Sequence, residues 1–207
     1  MVLFGIPFHA HWFFWIMMAL LGGAGAARTP ADWLGVGLFM VAGTVSIGCH
    51  ELGHALTGRR FGGRQPMMQL TGLGGLCTFQ SAAFRRWQEF LMIAAGPLAN
   101  AVLAVFFALL LALRGQQAPP MVAELMGDFL WINVVWGLFN VLPIHPLDGG
   151  QMMRVLLGPR RLPLTFILSI ATAAALLPVA MRFGSWTVSL LAFLAWQNIQ
   201  DLMASRR

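Results

Sequence analysis

From Trp33 to Thr57 the chain runs for about 25 residues without a Lys, Arg, Asp or Pro, long enough to cross the hydrocarbon of a bilayer as one helix. A segment in lipid must satisfy every backbone N–H and C=O internally, so only a helix or a strand of a closed barrel is open to it. Composition decides that this run is not a buried core helix of a soluble protein. The chain is 58% hydrophobic and only 10% charged, against about 45–50% and about 25% in soluble domains. An integral membrane protein follows.

All 13 basic residues are Arg, and the net charge of +6 invites a nucleic-acid reading. The arginines are scattered at the ends of apolar runs, however, where membrane topology explains them. Segmentation at Gly, Pro and Arg predicts six spans, at Trp12–Ala26, Trp33–Thr57, Trp87–Leu113, Val122–Leu142, Leu162–Met181 and Trp186–Met203. The expected fold class is an all-α polytopic membrane protein, residues 1–207 forming a single membrane-embedded domain. No basic stretch or cleavage site marks a removable signal peptide, so the first span is expected to stay. Between the second and third spans, Phe61–Phe84 is too Gly-rich for a stable helix. A membrane-edge β-hairpin or re-entrant loop is predicted there.

Six spans put both termini on one side. Arg59, Arg60, Arg64, Arg85, Arg86, Arg154, Arg160, Arg161, Arg206 and Arg207 then share that side, and Arg28, Arg114 and Arg182 the other. The positive-inside rule makes the first side cytoplasmic. Five of the 8 tryptophans, Trp12, Trp33, Trp87, Trp131 and Trp186, fall near span ends, as interfacial belts predict.

Inside the second span stands His50-Glu51-Leu52-Gly53-His54, an H-E-x-x-H pattern. Residues four apart share a helix face, so both imidazoles can address one zinc ion while Glu51 handles a water beside it. Ionisable groups at membrane depth are costly, which makes the cluster a functional site by default. At 1.5 Å per residue, Glu51 lies about 26 Å along the span, near its cytoplasmic end.

Catalytic zinc commonly takes three protein ligands and keeps one position open. Cys49 points away from His50 around the helix and reads as a buried apolar residue, and a disulfide with Cys77 is not expected. Glu89 sits beside Arg85 and Arg86, Glu124 and Asp128 belong to the opposite membrane face, and Asp201 is C-terminal. Asp148 instead follows the inward-running fourth span, in Asn140-Val141-Leu142-Pro143-Ile144-His145-Pro146-Leu147-Asp148-Gly149-Gly150. Its prolines break the helix and its glycines permit a turn that can aim a carboxylate. His145 is a possible alternative ligand, though a supporting role suits it better. His9 and His11 read as interfacial.

The pairing of H-E-x-x-H with N-x-x-P-x-x-P-L-D-G-G resembles the site-2 protease family of intramembrane zinc metalloproteases, peptidase family M50. Gly96-Pro97-Leu98-Ala99-Asn100 and the Gly-rich segment are similar to features of that family. The resemblance implies zinc held by His50, His54 and Asp148, Glu51 as general base, and cleavage in or near the transmembrane helices of membrane-tethered protein substrates. It implies Asn140 as a substrate-binding residue, with a cap on the interrupted helix as the alternative. Asn100 is likewise assigned to substrate binding at that site, with a purely interhelical hydrogen bond as its alternative. The chain looks like a minimal form without PDZ or CBS domain. Two rivals remain at this level: a catalytically dead relative acting as a membrane scaffold, and a metal-ion transporter.

Overall fold

A computed structural model describes residues 1–72 and 74–205. Leu73 of the Gly-rich segment lies outside the described residues, as do Arg206 and Arg207 of the arginine assignment. The chain forms two compact units, Met1–Gly137 and Leu138–Arg207.

The first unit opens with strands β1 (Val2–Leu3) and β2 (Ile6–Ala10), which no span prediction anticipated. Strand β2 pairs in parallel with β3 (Arg64–Thr71), Phe8 opposite Met68, and β3 pairs antiparallel with β4 (Gly74–Ser81), Met68 opposite Cys77. The Gly-rich segment is thus a hairpin within a four-stranded sheet ordered β1-β2-β3-β4. A wholly helical class therefore gives way to a mostly helical fold with a small sheet. Buried Ile6 and Met68 pack with Ala55 of the following long helix, which seats the sheet against it.

Helix α1 (Trp12–Leu21) is only 10 residues long, because the turn through Gly22 and Gly23 ends it short of Ala26. Helix α2 (Pro30–Arg60) runs 31 residues and starts before the apolar run does. Its start is a capping box. Thr29 Oγ1 accepts from the Asp32 N–H at 3.2 Å, Asp32 Oδ2 accepts from the Thr29 N–H at 2.8 Å, and Pro30 stands at the first helical position. Helix α3 (Arg86–Arg114) lies close against α2: a Cβ on Gly53 would stand 2.5 Å from the Ala95 carbonyl oxygen. Close backbone approach through small residues is how helices associate in lipid, where apolar burial gives little drive. On α3, Val102, Val105, Phe106 and Leu109 form an exposed stripe at helical spacing, the surface expected to meet lipid.

Helix α4 (Pro120–Val141) carries the boundary between the units. The second unit continues with α5 (Asp148–Leu157), α6 (Leu162–Ala180) and α7 (Ser185–Ala204). Its core joins Ile144, Ala173, Ala180, Leu191 and Leu194. Among the described residues four helical segments are long and apolar enough to cross a membrane: Pro30–Arg60, Arg86–Gln117, Pro120–Val141 and Pro159–Phe183. Of the six expected spans, the first is too short. The last has the length, but Gln197, Asn198, Gln200 and Asp201 lower its apolarity.

Candidate metal centre

Helix α2 brings His50, Glu51 and His54 together inside the first unit, all three buried. Each imidazole is held at Nδ1. The His50 Nδ1 lies 2.5 Å from Asn100 Oδ1, and the His54 Nδ1 lies 2.9 Å from the Met92 carbonyl oxygen, both acceptors coming from α3. An acceptor at Nδ1 places the proton there in the neutral ring and leaves the Nε2 lone pair for another use. The two Nε2 atoms stand 3.1 Å apart. Two lone pairs so close repel unless a cation lies between them. Nitrogens about 2.0–2.1 Å from a tetrahedral zinc are themselves about 3.4 Å apart, so the pair fits such an ion.

Gly96 of α3 supplies the room. A Cβ there would stand 2.7 Å from the His50 Nε2 and closer still to the His54 imidazole, so any side chain would fill the space that a ligand needs. Glu51, 4% exposed, faces strand β4, where a Cβ on Gly75 would collide with its carboxylate. Burial first, and then the charge of Glu51, push the Cys77 thiol up to about 12.

Asn100 is wholly buried and bonded to a histidine, and its neighbours were not anticipated. Its Nδ2 donates to Asn133 Oδ1 at 2.7 Å, and Asn133 Nδ2 donates to Ser46 Oγ and to the Phe129 carbonyl, both at 2.8 Å. The signal was present in the sequence: Ser46 and Asn133 are isolated polar residues in apolar helices, where each needs a partner.

In the second unit Asp148 is buried at the first position of α5, where a carboxylate suits the positive end of the helix dipole. The loop that delivers it is tied down by backbone bonds to two helices. The His145 N–H donates to Ser169 Oγ of α6 at 3.0 Å, and the His145 carbonyl accepts from Asn198 Nδ2 of α7. His145 itself turns toward Asp201, with Nδ1 3.9 Å from the carboxylate. Burial lowers its pKa, partly offset by Asp201. Asn140 is half-buried near the end of α4.

The family model described as peptidase family M50 matches residues 38–126 and 113–181. The chain belongs to peptidase family M50. Among curated relatives, this family member is 33% identical over 175 residues to a Mycobacterium tuberculosis protein provisionally named zinc metalloprotease Rip3, covering 75% of this chain and 42% of that one. It is 32% identical over 164 residues to a provisionally named zinc metalloprotease of Synechocystis, covering 73% and 42% respectively. The chain thus spans about two fifths of the length of the curated relatives it matches. In fold it is similar to a solved structure titled site-2 protease from Methanocaldococcus jannaschii, with a TM-score of 0.66 at 20% identity over 98% of this chain and 93% of that one.

Proposed function

We propose that this integral membrane protein is a zinc-dependent metalloendopeptidase that cleaves membrane-tethered protein substrates within or near their transmembrane helices. The observation that carries the reading is the buried donor set. His50 and His54 stand buried on neighbouring turns of α2 with their Nε2 atoms 3.1 Å apart. With Asp148 as the proposed third ligand, these residues would hold zinc and leave room for water, as hydrolytic rather than structural sites do. The names of the relatives point the same way.

When bound, zinc supplies a Lewis acid that activates water and polarises the scissile carbonyl. Glu51, one residue from His50 on α2, takes the proton from the attacking water and delivers it to the leaving amine. Its burial keeps bulk water from competing for that proton. All four positions are filled by competent residues, which favours an active enzyme over an inactive scaffold. Asn140 remains the candidate for holding substrate backbone near the cleavage point. The arginines of 59–86 and 154–161 support a site near the cytoplasmic face, with lipid around the helices, while cytoplasmic termini require all six expected spans to cross.

A helical substrate must unwind before its carbonyls can be attacked, and an extended segment needs a backbone partner. Strand β4 is the edge of the sheet among the described residues, and it runs past Glu51. The Leu70 carbonyl accepts from the His11 N–H on the β2 side, so Leu70 and Gly75 form a pair whose backbone groups face away from each other. Alternation then turns the backbone groups of Gly75, Cys77 and Phe79 to the open edge, ready for an added strand. Cys77→Pro removes one outward N–H without touching the β3–β4 ladder. It is expected to reduce cleavage at least tenfold with zinc content unchanged; undiminished cleavage overturns the edge-strand route.

The test of the function itself is cleavage of tagged single-span substrates by wild type and Glu51→Gln, with zinc content measured on the same samples. Loss of a general base costs roughly 10²–10⁴-fold in rate, so Glu51→Gln should keep its zinc and lose detectable cleavage. Equal cleavage by both would refute the assigned base.

A further inference from the structure

His54 has its Nδ1 proton fixed by a backbone carbonyl, which can only accept. His50 is different: its Nδ1 partner is an amide side chain, and an amide can present either its oxygen or its NH2. An Asn100 turned the other way would donate to Nδ1 and force the proton to Nε2, where it would block metal binding. Something must hold the amide with its oxygen toward His50.

We infer that Asn133 is a positioning residue for the metal site, fixing the orientation of Asn100 and through it the metal-binding tautomer of His50. The inference rests on the zinc reading above and deepens it. The relay starts at the Phe129 carbonyl, an acceptor only, which takes a hydrogen bond from Asn133 Nδ2 at 2.8 Å. That bond settles which end of the Asn133 amide is nitrogen, so Oδ1 faces Asn100, and Asn100 Nδ2 donates to it at 2.7 Å. A second acceptor, the Ser46 carbonyl, lies 3.5 Å from the same nitrogen. Asn100 Oδ1 is thereby left to accept from His50 Nδ1. Each amide reads the one before it, and the chain of orientations ends in a lone pair on His50 Nε2, 3.1 Å from its counterpart on His54.

Burial makes the relay strict. Asn100 is 0% exposed and Asn133 1%, so no bulk water can stand in for a misoriented amide. Ser46 has a lesser part. Its hydroxyl accepts the second Asn133 proton, at 2.8 Å, but a hydroxyl can donate as well as accept and so cannot dictate an orientation.

The test compares zinc affinity, by competition with a chelator, in wild type, Asn133→Leu, Asn133→Ala and Ser46→Ala, together with the melting temperature of each metal-free protein. Removing an outer partner of a metal ligand typically costs 10–100-fold in affinity. Both Asn133 variants should lose that much, and Ser46→Ala less than about threefold. In the zinc-loaded proteins, the His50 Nδ1–H proton resonance should move in the Asn133 variants while that of His54, bonded to the Met92 carbonyl, stays in place. Asn133 variants with wild-type affinity would overturn the relay. A loss that tracks only the melting temperature would overturn it too, as would the two histidine resonances shifting together. Absence of zinc from the wild type would instead overturn the underlying zinc reading.

Discussion

The two regions that carry the proposed ligands hold their side chains by opposite means. His50 and His54 stand on regular turns of the 31-residue helix α2, where backbone hydrogen bonding is complete, so the only freedom to remove is that of the rings. It is removed through side-chain positions: Asn100 on one ring, the Met92 carbonyl on the other. Asp148 follows a broken stretch of chain, and there the backbone itself is clamped by the Ser169 hydroxyl and the Asn198 amide. A helix positions a ligand by its periodicity and needs help only with tautomer and rotamer. A loop has no periodicity to lend, so helices with no ligand of their own must hold it.

Deleting a ligand should have the same effect in both regions, and the effect is the largest expected. His54→Ala and Asp148→Ala should each abolish stoichiometric zinc binding and proteolysis, measured by metal content and by cleavage of a single-span substrate. A zinc-replete Asp148→Ala would break the comparison at its root, since the second region would then hold no ligand.

What the sequence made legible follows the same division. The H-E-x-x-H pattern and the acid after a Pro-broken helix were readable because their chemistry is local, set by spacing along one element. The start of α2 is as local, in Thr29-Pro30-Ala31-Asp32, but it precedes the apolar run, which begins only at Trp33. The hairpin of β3 and β4 announced itself by glycine. Strands β1 and β2 did not, since a parallel pairing of Phe8 with Met68 depends on chain 60 residues away. The supports of the site were hidden for the same reason. Asn133 meets Ser46 across 87 residues, and Asn198 meets His145 across 53. A lone Asn in an apolar helix signals that a partner exists, but the sequence does not say which.

The clamp is where the comparison is sharpened, by a smaller effect. Asn198→Leu strips the part-buried His145 carbonyl of its donor, at a cost below the about 1–3 kcal/mol of a fully buried unsatisfied group. Ser169→Ala strips the donor side of the same residue, leaving the His145 N–H without its hydroxyl acceptor, and a similar or slightly smaller cost is expected. Both should loosen the loop that aims Asp148 and weaken zinc binding, while the histidine resonances of the first unit keep their wild-type positions. The relay variants of Asn133 should do the reverse, moving a histidine resonance with no change in the protease sensitivity of the Leu142–Asp148 loop. If Asn198→Leu instead disturbed the His50 signal as strongly as Asn133→Leu does, the two regions would not be held independently. The distinction between ring-holding and backbone-holding would then fail.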